Sequence, residues 1–330
     1  MAVFTEVSFD EAAEFIRFLK LGRLRLLKGA SGGIENTNYF VDTDRGQFVL
    51  TLFERLTFAQ LPFYLHLMKH LATRGIAVPD PMPDSEGNLL HRLKGKPAAV
   101  VNKLHGHSEL APAAAHCSAV GDMLARMHLA GLDFAHQQSN LRALTWWNET
   151  VPVVLPFLTL AQRSLIQSEL AYQNDIAALP AFQSLPRGVI HGDLFRDNVM
   201  FENGRLTGFF DFYFAGCDTF LYDIGICLND WCIDLQTGSA DQLRADAFMA
   251  AYQRVRPLTR QERGLLPALQ RAGALRFWVS RLWDLYLPRD AAVLQAHDPD
   301  HFERVLRACV AHPYLLSSIE IPGCELGFTP

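Results

Sequence analysis

One stretch of this 330-residue chain gathers oxygen-bearing side chains at spacings suited to phosphoryl transfer. It runs His191-Gly192-Asp193-Leu194-Phe195-Arg196-Asp197-Asn198, and Asp211-Phe212-Tyr213 follows after an apolar interval. The apolar pair Val189-Ile190 leads into the stretch. Beyond it, Val199 to Phe201 and Leu206 to Phe210 are apolar runs joined by Glu202-Asn203-Gly204, whose Asn-Gly pair marks a hairpin turn. A loop bearing Asp193 and Asn198 is therefore expected before a hairpin that returns Asp211 close to both. Moving a phosphoryl group to an alcohol needs one carboxylate to orient the hydroxyl and take its proton, and hard oxygen ligands for a divalent cation on the triphosphate. Read singly, such an Asp is often a helix cap and such an Asn an Asx turn. The joint spacing and the second Asp favour the chemical reading.

Near the front, Gly29-Ala30-Ser31-Gly32-Gly33-Ile34-Glu35-Asn36-Thr37-Asn38 precedes a strand-like run. Small residues let backbone N–H groups approach phosphate oxygens, so the segment suits a loop that covers phosphates, although a plain glycine-rich turn reads equally well from it alone. The Gly-Lys-Ser/Thr of a P-loop is missing.

Elements of two kinds must position these residues. Phe9 to Leu21 predicts an amphipathic helix, with Ser8 as N-cap and Glu11 closing a capping box. Asn38 to Asp42 and Gln47 to Phe53 read as strands joined by the Asp44-Arg45-Gly46 turn. Phe58 to Arg74 carries helical periodicity and stops at Gly75; Ala98 to Val101 is a last strand-like piece. From Ala113 the pattern turns helical (Ala113 to Ala130, Leu160 to Leu179, and Ser239 onward), interrupted by the turn-rich Gly188 to Gly225. The expected fold is α+β and two-lobed. A small N-terminal lobe, 1–104, is built on an antiparallel sheet; a larger, mostly helical lobe spans 105–330, with a hinge near residues 102–108.

Composition excludes several other classes. Apolar residues make up 49% and charged residues 20%, which fits a folded globular chain, and the formal charge of −5 gives no bulk attraction for nucleic acid or anionic membranes. No run approaches the length of a membrane helix. Cys117, Cys217, Cys227, Cys232, Cys309 and Cys324 form no CxxC pair, and His105 with His107 lack a third metal ligand. A reduced, cytoplasmic protein with small-molecule substrates is expected, with no nucleic acid or membrane partner and with a homo-oligomer left open.

The loop His191 to Asn198, the later Asp211 and the small-then-helical layout resemble the aminoglycoside-phosphotransferase-like kinase superfamily, whose fold is protein-kinase-like. The kinase catalytic loop has the same Asp-to-Asn spacing, with Gly192 here in place of Arg. Within that superfamily the chain is similar to the bacterial homoserine kinase family. The residues carrying this are Gly33 to Tyr39, Val49 to Glu54, His191 to Asn198, Asn229-Asp230-Trp231-Cys232 and Leu275 to Leu282. The resemblance runs from about residue 5 to about residue 315 and implies ATP as phosphoryl donor, L-homoserine as acceptor on the threonine route, and Mg2+ as cofactor. Asp193 is then the base, Asn198 and Asp211 the magnesium ligands, and Asn102, Lys103 and Leu104 the hinge beside the adenine. Ser31, Gly32, Gly33, Asn36 and Asn38 belong to the phosphate-covering loop, and Arg196 stands as a second cation near the γ-phosphate, with an ordinary salt bridge equally open. The family's third-strand cation is replaced by Thr51, so Arg55, Lys28 or the glycine-rich loop must compensate.

A small amino-acid alcohol also needs a carboxylate clamp and a partner for its ammonium. Arg276 and Arg281 lie on an aromatic-rich helix, five residues and so about 140° apart, and one of them should face the cleft; Arg281 is favoured. Asp230, beside Trp231, is the candidate for the ammonium, with a helix-packing salt bridge as the alternative. Asp223 is expected to cap the helix after Tyr222 and brace the catalytic loop, His128 to be buried and hydrogen-bonded, and Trp146 and Trp147 to be packing residues. Kinases for another small alcohol (choline, methylthioribose, an aminoglycoside, a fructosamine) and a nucleotide-binding pseudokinase scaffold are the competing readings.

Overall fold

The computed structural model of the protein describes residues 5–30, 36–287 and 297–316. Helix α1 (Phe9–Phe18) starts at Ser8: its Oγ accepts the Glu11 N–H at 3.3 Å while the Glu11 carboxylate accepts the Ser8 N–H at 2.9 Å. Five antiparallel strands follow: β1 (Leu24–Gly29), β2 (Asn36–Thr43), β3 (Gln47–Phe53), β4 (His91–Leu93) and β5 (Lys96–Asn102), in the order β1-β2-β3-β5-β4. Because successive side chains alternate between faces, Tyr39, Val41, Phe48, Leu50, Leu52, Ala98 and Val100 pack with Ala12, Phe15 and Ile16 of α1. Asn38, Phe40, Val49, Thr51 and Ala99 therefore take the opposite face. Strand β1 was not anticipated: its three leucines do not keep a strict alternation, its register against β2 shifts between Leu24 and Leu26, and at the sheet edge only Leu24 is buried.

Between β3 and β4, α2 (Leu61–Thr73) begins three residues later than the periodicity predicts, with Pro62 in its first turn, and ends before Gly75 at φ +78°. It is the joint of the two lobes. Tyr64 of α2 packs edge-on against Tyr213 at 5.8 Å, and Phe63 against Phe134 at 5.6 Å.

The second lobe holds α3 (Ala114–Ala130), α4 (Leu144–Val154), α5 (Leu160–Ala178), α6 (Pro180–Gln183), β6 (Arg187–Ile190), β7 (Val199–Glu202), β8 (Arg205–Phe209), β9 (Gly216–Thr219), α7 (Phe220–Trp231), α8 (Gln242–Val255), α9 (Arg260–Tyr286) and α10 (Asp300–Ala311). The β7–β8 hairpin turns at Asn203 and Gly204, both at positive φ, as its Asn-Gly pair requires. Strand β9, unexpected from Gly216-Cys217-Asp218-Thr219, exists because β6 supplies a partner: Arg187 pairs with Thr219 and Ile190 with Gly216. Every residue of α7 is buried, sandwiched against α9, which in turn carries α10. The five described cysteines are free thiols, and no described helix is long and apolar enough to cross a membrane.

Candidate active site

The buried pair Val189-Ile190 anchors β6, and the chain then turns through Gly192 at φ +76°. Only glycine suits this turn, since a Cβ on Gly192 would sit 2.6 Å from the Phe214 carbonyl oxygen. Asp223, on the first turn of α7 and fully buried, clamps the loop from behind. Its Oδ2 accepts the His191 N–H at 2.7 Å and its Oδ1 the Gly192 N–H at 2.8 Å. His128, also fully buried, meets Asp223 Oδ2 at 3.1 Å and the Tyr252 hydroxyl at 2.7 Å. Burial opposes ionisation of Asp223, but the His128 hydrogen bond and the loop amides outweigh it and hold its carboxyl below the usual range. The bracing role expected of Asp223 is found; the capping role belongs to Thr219, whose hydroxyl accepts from Leu221.

Asp193 follows, with its side chain 16% exposed. Burial pushes its carboxyl well above the ordinary range, Asp211, Asp197 and Asp230 push the same way, and Arg276 opposes them. Asn198 sits five residues on, in a short turn of 3-10 helix (Arg196–Asn198), and donates from Nδ2 to the Asp193 carbonyl at 2.8 Å and to its carboxylate at 3.4 Å. The hairpin then brings its far strand back: the Phe210 N–H donates to the Asn198 carbonyl at 3.0 Å, and the Phe210 carbonyl meets His191 Nε2 at 2.9 Å. Asp211 comes directly after Phe210, at φ +66° and exposed. The loop bearing Asp193 and Asn198 and the residue before Asp211 are thus tied together by one main-chain hydrogen bond and one from the His191 ring. Oxygen donors of this type, an Asn amide and an Asp carboxylate, fit a hard divalent cation completed by water and phosphate.

On the small-lobe side, Asn38 Oδ1 accepts from the Thr51 hydroxyl at 2.7 Å, across paired strands, so the position of the missing cation is filled by a neutral hydrogen bond. Asn36 opens β2 opposite Phe53, and Lys28 and Arg55 are exposed at the ends of β1 and β3. Ser31, Gly32 and Gly33 lie outside the described residues. At the hinge, Asn102 Oδ1 accepts the Asp80 N–H at 2.5 Å, the Lys103 N–H donates to Gln47, and Leu104 packs where Gly208 leaves no side chain.

Four of the sequence-derived assignments are corrected. Arg196 does not stand as a free cation: its main-chain N–H and Nε donate to Asp230 Oδ2 at 2.7 and 3.1 Å, its Nη2 to the Asp230 carbonyl, and its Nη1 to Leu110 at 2.9 Å. Asp230 is therefore taken by Arg196 and is no partner for an ammonium. Trp231 is fully buried and donates from Nε1 to the Leu194 carbonyl at 3.0 Å, so it braces the loop from inside. Arg281 donates to the Asp298 carbonyl at 2.9 Å and stacks 4.5 Å from the Phe302 ring. The arginine beside Asp193 is Arg276, whose Nη1 lies 3.6 Å from Asp193 Oδ1. The helical angle separated the two arginines; which of them met the cleft depended on how α9 rolls on α7, and local spacing carries no signal for that.

Sequence reasoning also passed over His191 and Gln138. His191 accepts the Asp193 N–H through Nδ1 at 3.2 Å and packs on Phe212 at 4.5 Å. The carbonyl of Gln138 accepts the Cys217 N–H at 2.6 Å, and its side chain joins Tyr64 of α2 to the Ala215 carbonyl just after Asp211. The His at the head of the loop was the available signal for the first; a lone Gln in a connecting segment offers none for the second.

The profile of the phosphotransferase enzyme family matches residues 27–258. A homoserine kinase of Polaromonas naphthalenivorans (strain CJ2) is 79% identical over 316 residues, covering 96% of this chain and 100% of that relative. A homoserine kinase of Burkholderia cenocepacia (strain HI2424) is 54% identical over 328 residues, covering 97% and 99%. Among solved structures, an amicoumacin kinase in complex with AMP-PNP, Ca2+ and Ami superposes with a TM-score of 0.68 at 15% identity over 92% of each chain. A spectinomycin phosphotransferase in complex with ADP and its antibiotic gives 0.64 at 12% identity, covering 93% of this chain and 99% of that one. The two structures share the fold.

Proposed function

The chain belongs to the phosphotransferase enzyme family, in its homoserine kinase branch, and from that premise we propose how its site carries out the transfer of the ATP γ-phosphoryl group to the side-chain hydroxyl of L-homoserine. The acceptor hydroxyl donates to the Asp193 carboxylate. As the oxygen forms its bond to phosphorus and the bond from phosphorus to the ADP oxygen breaks, the proton passes to Asp193. The products are O-phospho-L-homoserine, which feeds threonine biosynthesis, and ADP. Asn198 and Asp211 are the residues that would hold Mg2+, which would supply positive charge to offset the charge building on the departing ADP. Residues 1–104 form the nucleotide lobe in this reading, with the adenine beside Asn102, Lys103 and Leu104, and the triphosphate under the glycine-rich segment around Asn36 and Asn38. An ATP-dependent enzyme with free thiols fits the cytoplasm.

One observation carries the reading: Asn198 is hydrogen-bonded to Asp193, and the same Asn198 receives the main-chain N–H of the residue preceding Asp211. A pseudokinase scaffold has no need of that convergence. An acceptor rich in ammonium groups, such as an aminoglycoside, is disfavoured by the cationic Arg276 beside the base. The test is a coupled ADP-release assay over L-homoserine, choline, methylthioribose and an aminoglycoside. L-homoserine should lead, and Asp193→Asn should lower kcat by about 10²- to 10⁴-fold with ATP binding retained. Turnover of Asp193→Asn near that of the wild type would refute the role of the base.

A further inference from the structure

Among the described residues three arginines are more than nine-tenths buried: Arg196, Arg256 and Arg276. Two are fully engaged, Arg196 with Asp230 and Arg256 with Glu262 at 2.8 Å and with the Tyr252 hydroxyl at 3.2 Å. Arg276, only 3% exposed, makes no hydrogen bond among the described residues. Its Nε is buried without a partner, and its nearest carboxylate, Asp193, stands at 3.6 Å, beyond hydrogen-bond length. Phe277 at 3.7 Å and Phe214 at 4.9 Å cover its faces, which steadies the charge but gives the buried Nε–H no acceptor.

A guanidinium has five in-plane donors and matches a planar anion held by two parallel bonds. A buried donor with nothing to meet is costly, and here the deficit lies at the arginine whose guanidinium stands 3.6 Å from Asp193. We infer that Arg276 binds the carboxylate of the amino-acid acceptor, and that by bordering Asp193 with the same guanidinium it sets the acceptor hydroxyl against the base. The inference rests on the homoserine-kinase reading. Helix α9 packs on α4, α5, α6, α7 and α10, all of the second lobe, so Arg276 reaches Asp193 from that lobe. A γ-hydroxy amino acid carries its hydroxyl and its carboxylate at the two ends of one short chain, so one molecule can meet Asp193 and Arg276 together.

The experiment compares kcat/KM for L-homoserine with that for aminopropanol, the same amino alcohol without the carboxylate, in the wild type, Arg276→Gln, Arg276→Lys and Arg281→Gln. The wild type should prefer L-homoserine by roughly a thousandfold, because a site built to bond a polar group rejects the analogue lacking it. Arg276→Gln should bring that ratio to within about tenfold while KM for ATP moves by less than about threefold, and Arg276→Lys, which keeps the charge but not the fork, should fall between. Arg281→Gln should keep the wild-type ratio. ADP binding reports whether each variant is folded; if Arg276→Gln is not, Arg276→Lys decides. A wild-type ratio retained in the folded Arg276 variants overturns the inference, and so does a raised KM for ATP with that for L-homoserine unchanged. A wild type that phosphorylates L-homoserine while this happens leaves the functional reading standing; a wild type inactive on L-homoserine takes both down.

Discussion

The imidazole of His191 accepts the main-chain N–H of Asp193 through Nδ1 at 3.2 Å, and its Nε2 meets the Phe210 carbonyl at 2.9 Å. Only a neutral ring protonated at Nε2 can do both. One buried side chain thereby joins the loop of Asp193 to the segment that leads from β8 into Asp211, and a change in its charge would break the link at both ends.

That requirement sets a pH dependence of stability. Burial lowers the pKa of His191, and also that of His128, with Asp223 opposing in each case. Both rings therefore resist protonation in the folded chain, whereas the unfolded chain takes up protons as pH falls through the ordinary histidine range near 6.5. The unfolded state then binds more protons, so stability is complete above that pH and is lost below it, by about 1.4 kcal/mol per pH unit for each histidine. Urea unfolding at pH 7.5 and 5.5 should show the decline, and His191→Gln should make it shallower. Equal midpoints at the two pH values would contradict the neutral assignment.

Gly192 and Gly204 make a matched pair, at φ +76° and +74°. A Cβ on Gly204 meets nothing within 4 Å, while one on Gly192 meets the Phe214 carbonyl oxygen at 2.6 Å. Gly204→Ala should therefore carry only the left-handed strain, about 1 kcal/mol, with kcat unchanged. Gly192→Ala should lose about 3 kcal/mol or more and lower kcat at least about tenfold, since the base loop must shift. Thermal melts and steady-state rates of the two variants check this, and equal effects would remove the claim that the loop is held by that close approach.

Asn198 is asked to do two things with one amide. Nδ2 donates to the Asp193 carbonyl at 2.8 Å, and Oδ1 is the atom left to meet a cation. Asn198→Asp keeps the oxygen and adds charge but sets a carboxylate against that carbonyl. It should bind Mg2+ no more weakly and yet turn over at least about tenfold more slowly. Asp211→Asn should instead raise the half-saturating Mg2+ concentration about tenfold or more. Magnesium titrations of ATP turnover separate the two, and an unchanged titration for Asp211→Asn would dismiss that residue as a ligand.

The convergence of Asp193, Asn198 and the segment before Asp211 was legible in the sequence because its geometry is local. A strand, a glycine turn, a five-residue step and an Asn-Gly hairpin are each encoded within a few residues, and main-chain bonds close the rest. What lay hidden was decided by packing between distant segments. Trp231 and Asp230 sit on α7, buried on every side, so no polar face marked which way they point. Strand β9 lacks an apolar run, and β1 has leucines without a strict alternation; both pair because β6 and β2 lie beside them. The competing roles weighed for Arg196, a phosphate partner or a salt bridge, could be told apart only by the neighbour that α7 brings.

That neighbour yields the last prediction. Asp230 and Arg196 are both buried, and burial pushes the Asp230 carboxyl up while Arg196 holds it down. Removing one partner leaves the other charged and dry, so Asp230→Asn should destabilise the fold by about 3–5 kcal/mol. Replacing both, as in Asp230→Leu with Arg196→Met, should recover most of that loss, since an apolar pair of similar volume carries no such penalty. A double-mutant cycle on urea unfolding measures the coupling directly. If Asp230 instead received the acceptor's ammonium, Asp230→Asn would raise KM for L-homoserine steeply with little change in stability. The bonds to Arg196 lead us to expect the reverse: a large loss of stability, with KM for L-homoserine within about threefold of the wild type in the folded fraction, because an interaction made inside the protein adds nothing to substrate binding.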